Sequence, residues 1–223
     1  MKFLNNDKII ECFNFRYACK VFDSKRDIAE NDFMTILESA RLSPSSFGLE
    51  PWRFIILQNE DIKEKIFNDT WGGHEALKSA SKFIIILARK NIDLQPNSQY
   101  VWHMMRNIHN ISDDGCKLRS KYYENFHKYD FDMHNDAQKV FDWSCKQSYI
   151  ALANMMTTAT LLGIDSLPIE GFCQKNIDII LEQEGIIDSI HFGSSVMVAF
   201  GYRLKEPKRA KTRQKLKDII QFI

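Results

Sequence analysis

The sequence predicts an α+β fold, a mixed sheet covered by helices, and three observations predict it. Short β-rich stretches over 52–57, 82–88 and 195–200 alternate with segments of helical periodicity. That alternation shows no regular βαβ repeat, so it disfavours a doubly wound parallel sheet. The 223 residues are 44% hydrophobic and 26% charged, averages that exclude disorder, collagen and coiled coil and allow a sizeable core. No Gly/Ser/Pro linker or repeat divides the chain. It reads as one domain over 1–223, with an excursion at about 89–135 and a basic tail at about 203–223.

In order along the chain, a helix is predicted over 29–42, where Phe33, Ile36, Leu37 and Ala40 share one face. Ser43-Pro44 stops it, because the residue before proline avoids the α region and proline has no N–H to donate. A small-residue loop follows, then the strand at 52–57, a helix at 61–67 and a buried strand at 82–88. The excursion is polar and aromatic and predicts one or two helices. Its Trp102, Tyr122, Tyr123 and Phe126 read either as a substrate-selecting lid or as ordinary packing against a partner subunit. A long helix is expected over 137–162, with Gly163 at C′. Leu167-Pro168-Ile169-Glu170-Gly171-Phe172 reads as a tight connection, followed by a helix at 176–184 and the strand at 195–200.

Several function classes lose support. The chain carries 30 Lys+Arg and 29 Asp+Glu, so bulk charge marks neither a nucleic-acid nor a membrane-surface protein. The longest aliphatic run, Ile84 to Ala88, is too short for a bilayer, and the polar Asn5-Asn6-Asp7-Lys8 behind Met1-Lys2 predicts no secretory leader. GxGxxG, Walker A and GxSxG motifs are absent. The 6 histidines are scattered without ligand spacing, so no metal site is expected. Five cysteines without a CxxC pair read as reduced thiols in a cytoplasmic protein. With 16 phenylalanines, 7 tyrosines and 4 tryptophans against 9 glycines, large flat surfaces await a core, an interface or an aromatic ligand.

Two cationic stretches remain. Arg16-Tyr17-Ala18-Cys19-Lys20-Val21-Phe22 sets two cations four residues apart, and the tail carries eight basic residues between Arg203 and Lys217 against Glu206 alone. Such groups suit phosphate oxygens. A nucleic-acid reading of the tail lacks a recognition motif and a basic remainder, so no nucleic acid partner is expected.

Taken in order, that first stretch, Ser43-Pro44-Ser45-Ser46 through Glu50-Pro51-Trp52, Leu167 to Phe172, and Lys211-Thr212-Arg213 give a chain that resembles the oxygen-insensitive, FMN-dependent NAD(P)H nitroreductase family. The opening is most similar to the metronidazole-activating nitroreductases. The resemblance implies a mainly antiparallel sheet flanked by helices in an intertwined homodimer, with FMN in the subunit interface. It implies a flavoprotein oxidoreductase that takes two electrons from NADPH or NADH and passes them to nitroaromatics, quinones or related acceptors by a ping-pong mechanism. A same-fold FMN enzyme of other chemistry (reductive dehalogenase, dihydropteridine or flavin reductase) and a non-catalytic flavin-binding protein remain as alternatives.

For the site, the resemblance implies that Arg16 and Lys211 with Arg213 meet the phosphate, that Lys20 lies beside the flavin pyrimidine, and that Tyr17 and Ala18 between them also bind the cofactor. Ser45, Ser46 and Gly48 would come from the other subunit. Pro168, Ile169, Glu170 and Gly171 would follow the flavin ring, Glu170 and Gly171 over N5, with no side-chain nucleophile. Single motifs keep plainer readings, Glu170-Gly171 as a turn and Ser45-Ser46 as a helix terminator. Tyr17, Ala18, Gly48, Glu50, Gly73 and Ala76 depart from the family pattern, Gly73 and Ala76 standing where many relatives have an asparagine and a lysine at the isoalloxazine, and Gly73 is still expected to bind the cofactor.

Overall fold

A computed structural model describes residues 4–223; Met1 and Lys2, where the leader reading begins, lie outside the described residues. Four strands form one sheet: β1 (Trp52–Ile56), β2 (Lys82–Arg89), β3 (Asp165–Ile169) and β4 (Phe192–Gly201), in the order β1-β2-β4-β3. All three ladders are antiparallel. The mixed character comes from an isolated parallel bridge between Ala18 and Ser166 at the β3 edge.

β3 corrects the sequence reading, which made 167–172 a connection. Pro168 suggested a turn, yet β3 is an edge strand, where a proline is tolerated. The turn begins only at Glu170. The other expected strands lie where periodicity put them, β4 starting three residues early.

The described helices are α1 (Asn6–Phe15), α2 (Glu30–Arg41), α3 (Glu60–Phe67), α4 (His74–Ser79), α5 (Asn91–Leu94), α6 (Gln99–His103), α7 (Asp113–Asn125), α8 (Ala137–Leu161) and α9 (Gln174–Gln183). α1 escaped the sequence reading because it has no buried residue to mark an inward face. Asn5 caps it, its side chain accepting from Lys8 N at 2.8 Å. Gly163 follows α8 in the left-handed region at φ 73°, as its C′ position requires.

The period-two alternation of the central strands builds two cores. Ile84, Ile86, Val196, Val198 and Phe200 face α2 and α8, whose Ile36, Ala40, Met155 and Ala159 are fully buried. Phe83, Ile85, Leu87, Met197 and Ala199 face Ile62 and Ile66 of α3, Leu77 of α4 and Ile177 and Leu181 of α9. Truncating one of the fully buried isoleucines or leucines to alanine would cost about 2–5 kcal/mol.

The excursion holds three helices, α5 to α7, rather than one or two, with π-helical turns at Met104–Ile108 and Phe126–Asp130. The inward residues of α7 are Cys116, Ser120 and Tyr123; the polar Ser120 interrupts the apolar signal while donating to Pro96 O at 2.9 Å. This segment has its own core of Leu49, Leu94, Val101, Met105, Tyr123, Val140 and Trp143. Among the described residues no helix is long and apolar enough to cross a membrane.

Candidate functional site

The two cationic stretches are sewn together by the backbone. After α1 the chain runs along β3 through the Ala18–Ser166 bridge, and Cys19 N donates to Ser166 O at 3.2 Å. Leaving β4, the tail pairs back on this strand through the Phe22–Arg203 bridge, with Leu204 N donating to Val21 O at 3.2 Å. Arg203 clamps the junction. Its guanidinium binds Asp165 at 2.7 Å and Glu206 at 2.9 Å and lies over the rings of Phe15 (4.2 Å) and Tyr17 (4.6 Å). The Tyr17 hydroxyl donates to Lys205 O at 3.2 Å, and Lys211 Nζ donates to Phe13 O.

Between these strands lies a cavity of about 900 Å³, lined by Arg16, Tyr17, Ala18 and Lys20 from one end of the chain and by 207–213 from the other. Arg16 is driven below its ordinary pKa by burial and by Arg213; Lys211 is lowered by burial and then by Arg16 and Arg213. The cations stand close enough to repel one another, a cost that a bound anion removes. Beside them the Cys19 thiol is fully buried, and burial raises its pKa, so it is a packed thiol rather than a reactive one.

Where β3 ends, two glycines touch. Gly72 N donates to Gly171 O at 2.7 Å, and Cys173 N to Asp69 O at 2.8 Å. A Cβ on Gly171 would stand 2.7 Å from Gly72 Cα and 3.0 Å from the Trp71 indole; one on Gly72 would stand 2.9 Å from Gly171 Cα. Gly171 is therefore already required by backbone packing against Gly72 and Trp71, a reason the sequence did not reveal. Gly73 packs on Ile169. Glu170 is exposed, and its Oε1 accepts from the Tyr149 hydroxyl of α8 at 2.5 Å. Burial and then Glu170 raise the Tyr149 pKa, keeping the phenol protonated. Trp71, 69% exposed, and Tyr149 are the residues that sequence reasoning missed; an aromatic preceding Gly-Gly was the available signal for the first, and nothing local marked the second.

The third piece is the loop 45–50. Ser45 Oγ accepts from Glu50 N at 2.8 Å, and Ser46 N donates to Gln147 Oε1 at 2.9 Å. Phe47, Gly48 and Glu50 all have positive φ, at 56°, 67° and 46°, a costly conformation that needs outside support. The excursion provides it. Arg119 donates to Phe47 O at 2.8 Å, His109 Nε2 lies 3.0 Å from Gly48 O, and the Tyr100 hydroxyl donates to Leu49 O at 2.7 Å. A Cβ at position 48 would come within 3.0 Å of His109 Nε2, so Gly48 is fixed by contact as well as by φ.

Phe47 packs edge-on to Tyr123 (4.9 Å) and Phe126 (5.1 Å). Tyr123 is fully buried in the chain's own core, so it belongs neither to a lid nor to a surface for a partner; Trp102 and Phe126 pack against the same core, while Tyr122 is exposed. Under this loop His127 is 1% exposed, edge-on to Tyr123 at 4.4 Å. Neither ring nitrogen has a hydrogen-bond partner among the described residues.

The fold thus brings Arg16, Tyr17, Ala18, Lys20, Lys211 and Arg213 to one cavity. Along the neighbouring β3 it brings Gly73 against Ile169, next to Pro168, Glu170 and Gly171. Ser45, Ser46 and Gly48 do not line that cavity. Ala76 is buried in the core, so no cation stands at that position.

Comparison with known proteins gives one answer. The family model described as the Nitroreductase family matches residues 14–202. A protein of Staphylococcus haemolyticus, provisionally named an NAD(P)H nitroreductase, is 49% identical over 217 residues, covering 97% of this chain and 98% of its own. Among solved structures, a provisionally described NAD(P)H:FMN oxidoreductase from Staphylococcus epidermidis superposes with a TM-score of 0.77 at 23% identity, over 100% of both chains. A provisionally described nitroreductase from Exiguobacterium sibiricum in complex with FMN gives 0.73 at 17% identity, covering 100% of this chain and 99% of that one. On the family match and the 49% relative together, with the α+β sheet of nitroreductase type beneath them, the chain belongs to the nitroreductase family.

Proposed function

We propose that the chain is a cytoplasmic FMN-dependent oxidoreductase that takes two electrons from NADH or NADPH and passes them, by a ping-pong mechanism, to nitroaromatics, quinones or related electron-poor acceptors. The observation that carries this reading is the cavity joining Arg16 to Lys211 and Arg213, cations that disfavour one another until an anion arrives. A phosphate monoester of about −2 charge suits them. The residues present fit FMN: Arg16, Lys211 and Arg213 would hold its phosphate, and Ile169 at the end of β3 with Glu170 and Gly171 just beyond it would follow its ring. FMN, when bound, supplies the two-electron chemistry.

The chain's own residues set the conditions. Lys20 contributes positive charge toward the flavin edge, and with Ala76 in the core it does so without a second lysine. Tyr149 holds the Glu170 carboxylate through its hydroxyl proton. Trp71 offers an exposed aromatic face beside Gly171 for a flat acceptor. Free thiols at all five cysteines suit a reducing compartment.

Ser45, Ser46 and Gly48 reach the cofactor from a second subunit in a homodimer. Two features support that: the loop 45–50 is rigidly built yet lies away from the cavity of its own chain. Apolar side chains of α1 and the tail, Ile10 and Phe13 with Ile220 and Phe222, stand exposed.

The test is an anaerobic spectrum of purified protein with its mass in solution. A yellow dimer that bleaches with NADPH and recovers with a nitro compound is expected. A colourless monomer that takes up no added FMN overturns the reading.

A further inference from the structure

The cavity carries more positive charge than one phosphate needs. Arg16, Lys20, Lys208, Arg209, Lys211 and Arg213 line it, and no Asp or Glu does. Two acids at the adjoining junction, Asp165 and Glu206, are already taken, since both bind Arg203. Among the described residues none of the six cations makes an ion pair. A phosphate monoester supplies about −2. Arg16, Lys211 and Arg213, the mutually repelling set, account for it, and on the FMN reading Lys20 serves the ring. Lys208 and Arg209 are left over. They sit on the short segment behind Pro207, on the same cavity wall, and outside residues 14–202 covered by the family model.

We infer that Lys208 and Arg209 bind the 2′-phosphate of NADPH, so that this chain uses NADPH in preference to NADH. The inference rests on the FMN reading above. It follows from a difference in charge: the two dinucleotides differ by one phosphate monoester, and the surplus of the cavity is a pair of exposed cations. Two charge-assisted contacts at a solvent-facing site correspond to a preference on the order of ten-fold or more. Being exposed, the contacts weaken with added salt.

The test uses the full chain saturated with FMN, with flavin content recorded by its absorbance. Binding of 2′,5′-ADP and of 5′-AMP is measured by calorimetry at low and at physiological salt, and kcat/KM is measured for NADPH and NADH. The expected result is at least ten-fold tighter binding of 2′,5′-ADP, lost in a Lys208→Ala/Arg209→Ala double variant. The NADPH-to-NADH ratio of kcat/KM falls in parallel. A Lys208→Arg/Arg209→Lys variant, which keeps both charges, retains the preference. Equal binding of the two nucleotides by FMN-loaded protein overturns the inference and leaves the FMN reading standing. A preference that survives the double alanine variant also overturns it. A chain that takes up no FMN fails the earlier reading first, and this one with it.

Discussion

In the loop 45–50 each strained residue has support from outside: Arg119 on Phe47 O, His109 on Gly48 O, the Tyr100 hydroxyl between Leu49 O and Glu50 O, and the Phe47 ring set among aromatics. In the cavity between the chain's two ends the reverse holds. Its charged side chains are all cationic and without acidic partners, and Arg16, Lys211 and Arg213 raise one another's cost. The loop is finished by the chain's own hydrogen bonds and packing, whereas on the proposed reading the cavity is completed by a ligand. A protein keeps unpaired like charges together where binding energy later offsets the repulsion, so the contrast separates what preorganises the site from what the site is for.

The sharpest way to break the packed side is Gly171→Ala. The new Cβ meets backbone at Gly72 and the Trp71 ring, neither of which is a flexible side-chain end. A loss of about 3 kcal/mol is expected in urea unfolding, and an unchanged midpoint would show that the two glycines are not locked.

On the charged side the effects should take opposite signs. Arg16→Ala removes repulsion, so the FMN-free chain should unfold at the same or a higher temperature. Affinity for FMN, followed by quenching of flavin fluorescence, should fall about 30-fold, or about 2 kcal/mol. Lower stability with unchanged affinity would make Arg16 a structural residue.

His127 tests the packed side by pH. Burial pushes its pKa down to about 4 from 6.5. The unfolded chain therefore binds the proton first, and stability falls as pH drops from about 6.5 toward 4. Roughly 2 kcal/mol should be lost between pH 7 and pH 5, and His127→Phe should remove most of that slope. The smallest expected effect belongs to His109→Ala, about 1 kcal/mol from the lost contact with Gly48 O, with faster hydrogen exchange confined to 45–50.

The same contrast explains what was legible in the sequence. Periodicity was enough for β1, β2, β4, α2, α3 and α8, whose apolar residues point at one of the two cores. It failed for β3, where Pro168 imitates a turn on an edge strand, and for α1, which buries nothing. The cationic stretches could be read as anion sites because charge is local information. Their meeting was expected only through the family resemblance, since it depends on backbone bridges linking Ala18 to Ser166 and Phe22 to Arg203. Tyr149 gave no warning, because its partner Glu170 is remote along the chain, and Trp71 gave only the hint of an aromatic before Gly72-Gly73, its partner Gly171 being equally remote.

Trp71 is also an optical handle. Of the chain's tryptophans, Trp143 is buried, Trp52 and Trp102 are half-buried, and Trp71 alone is open to water. Red-shifted, acrylamide-quenchable emission should therefore come from this one indole, and a chromophore arriving beside Gly171 would darken it first. The intact polypeptide thus reports on that spot by its own fluorescence, with no label attached.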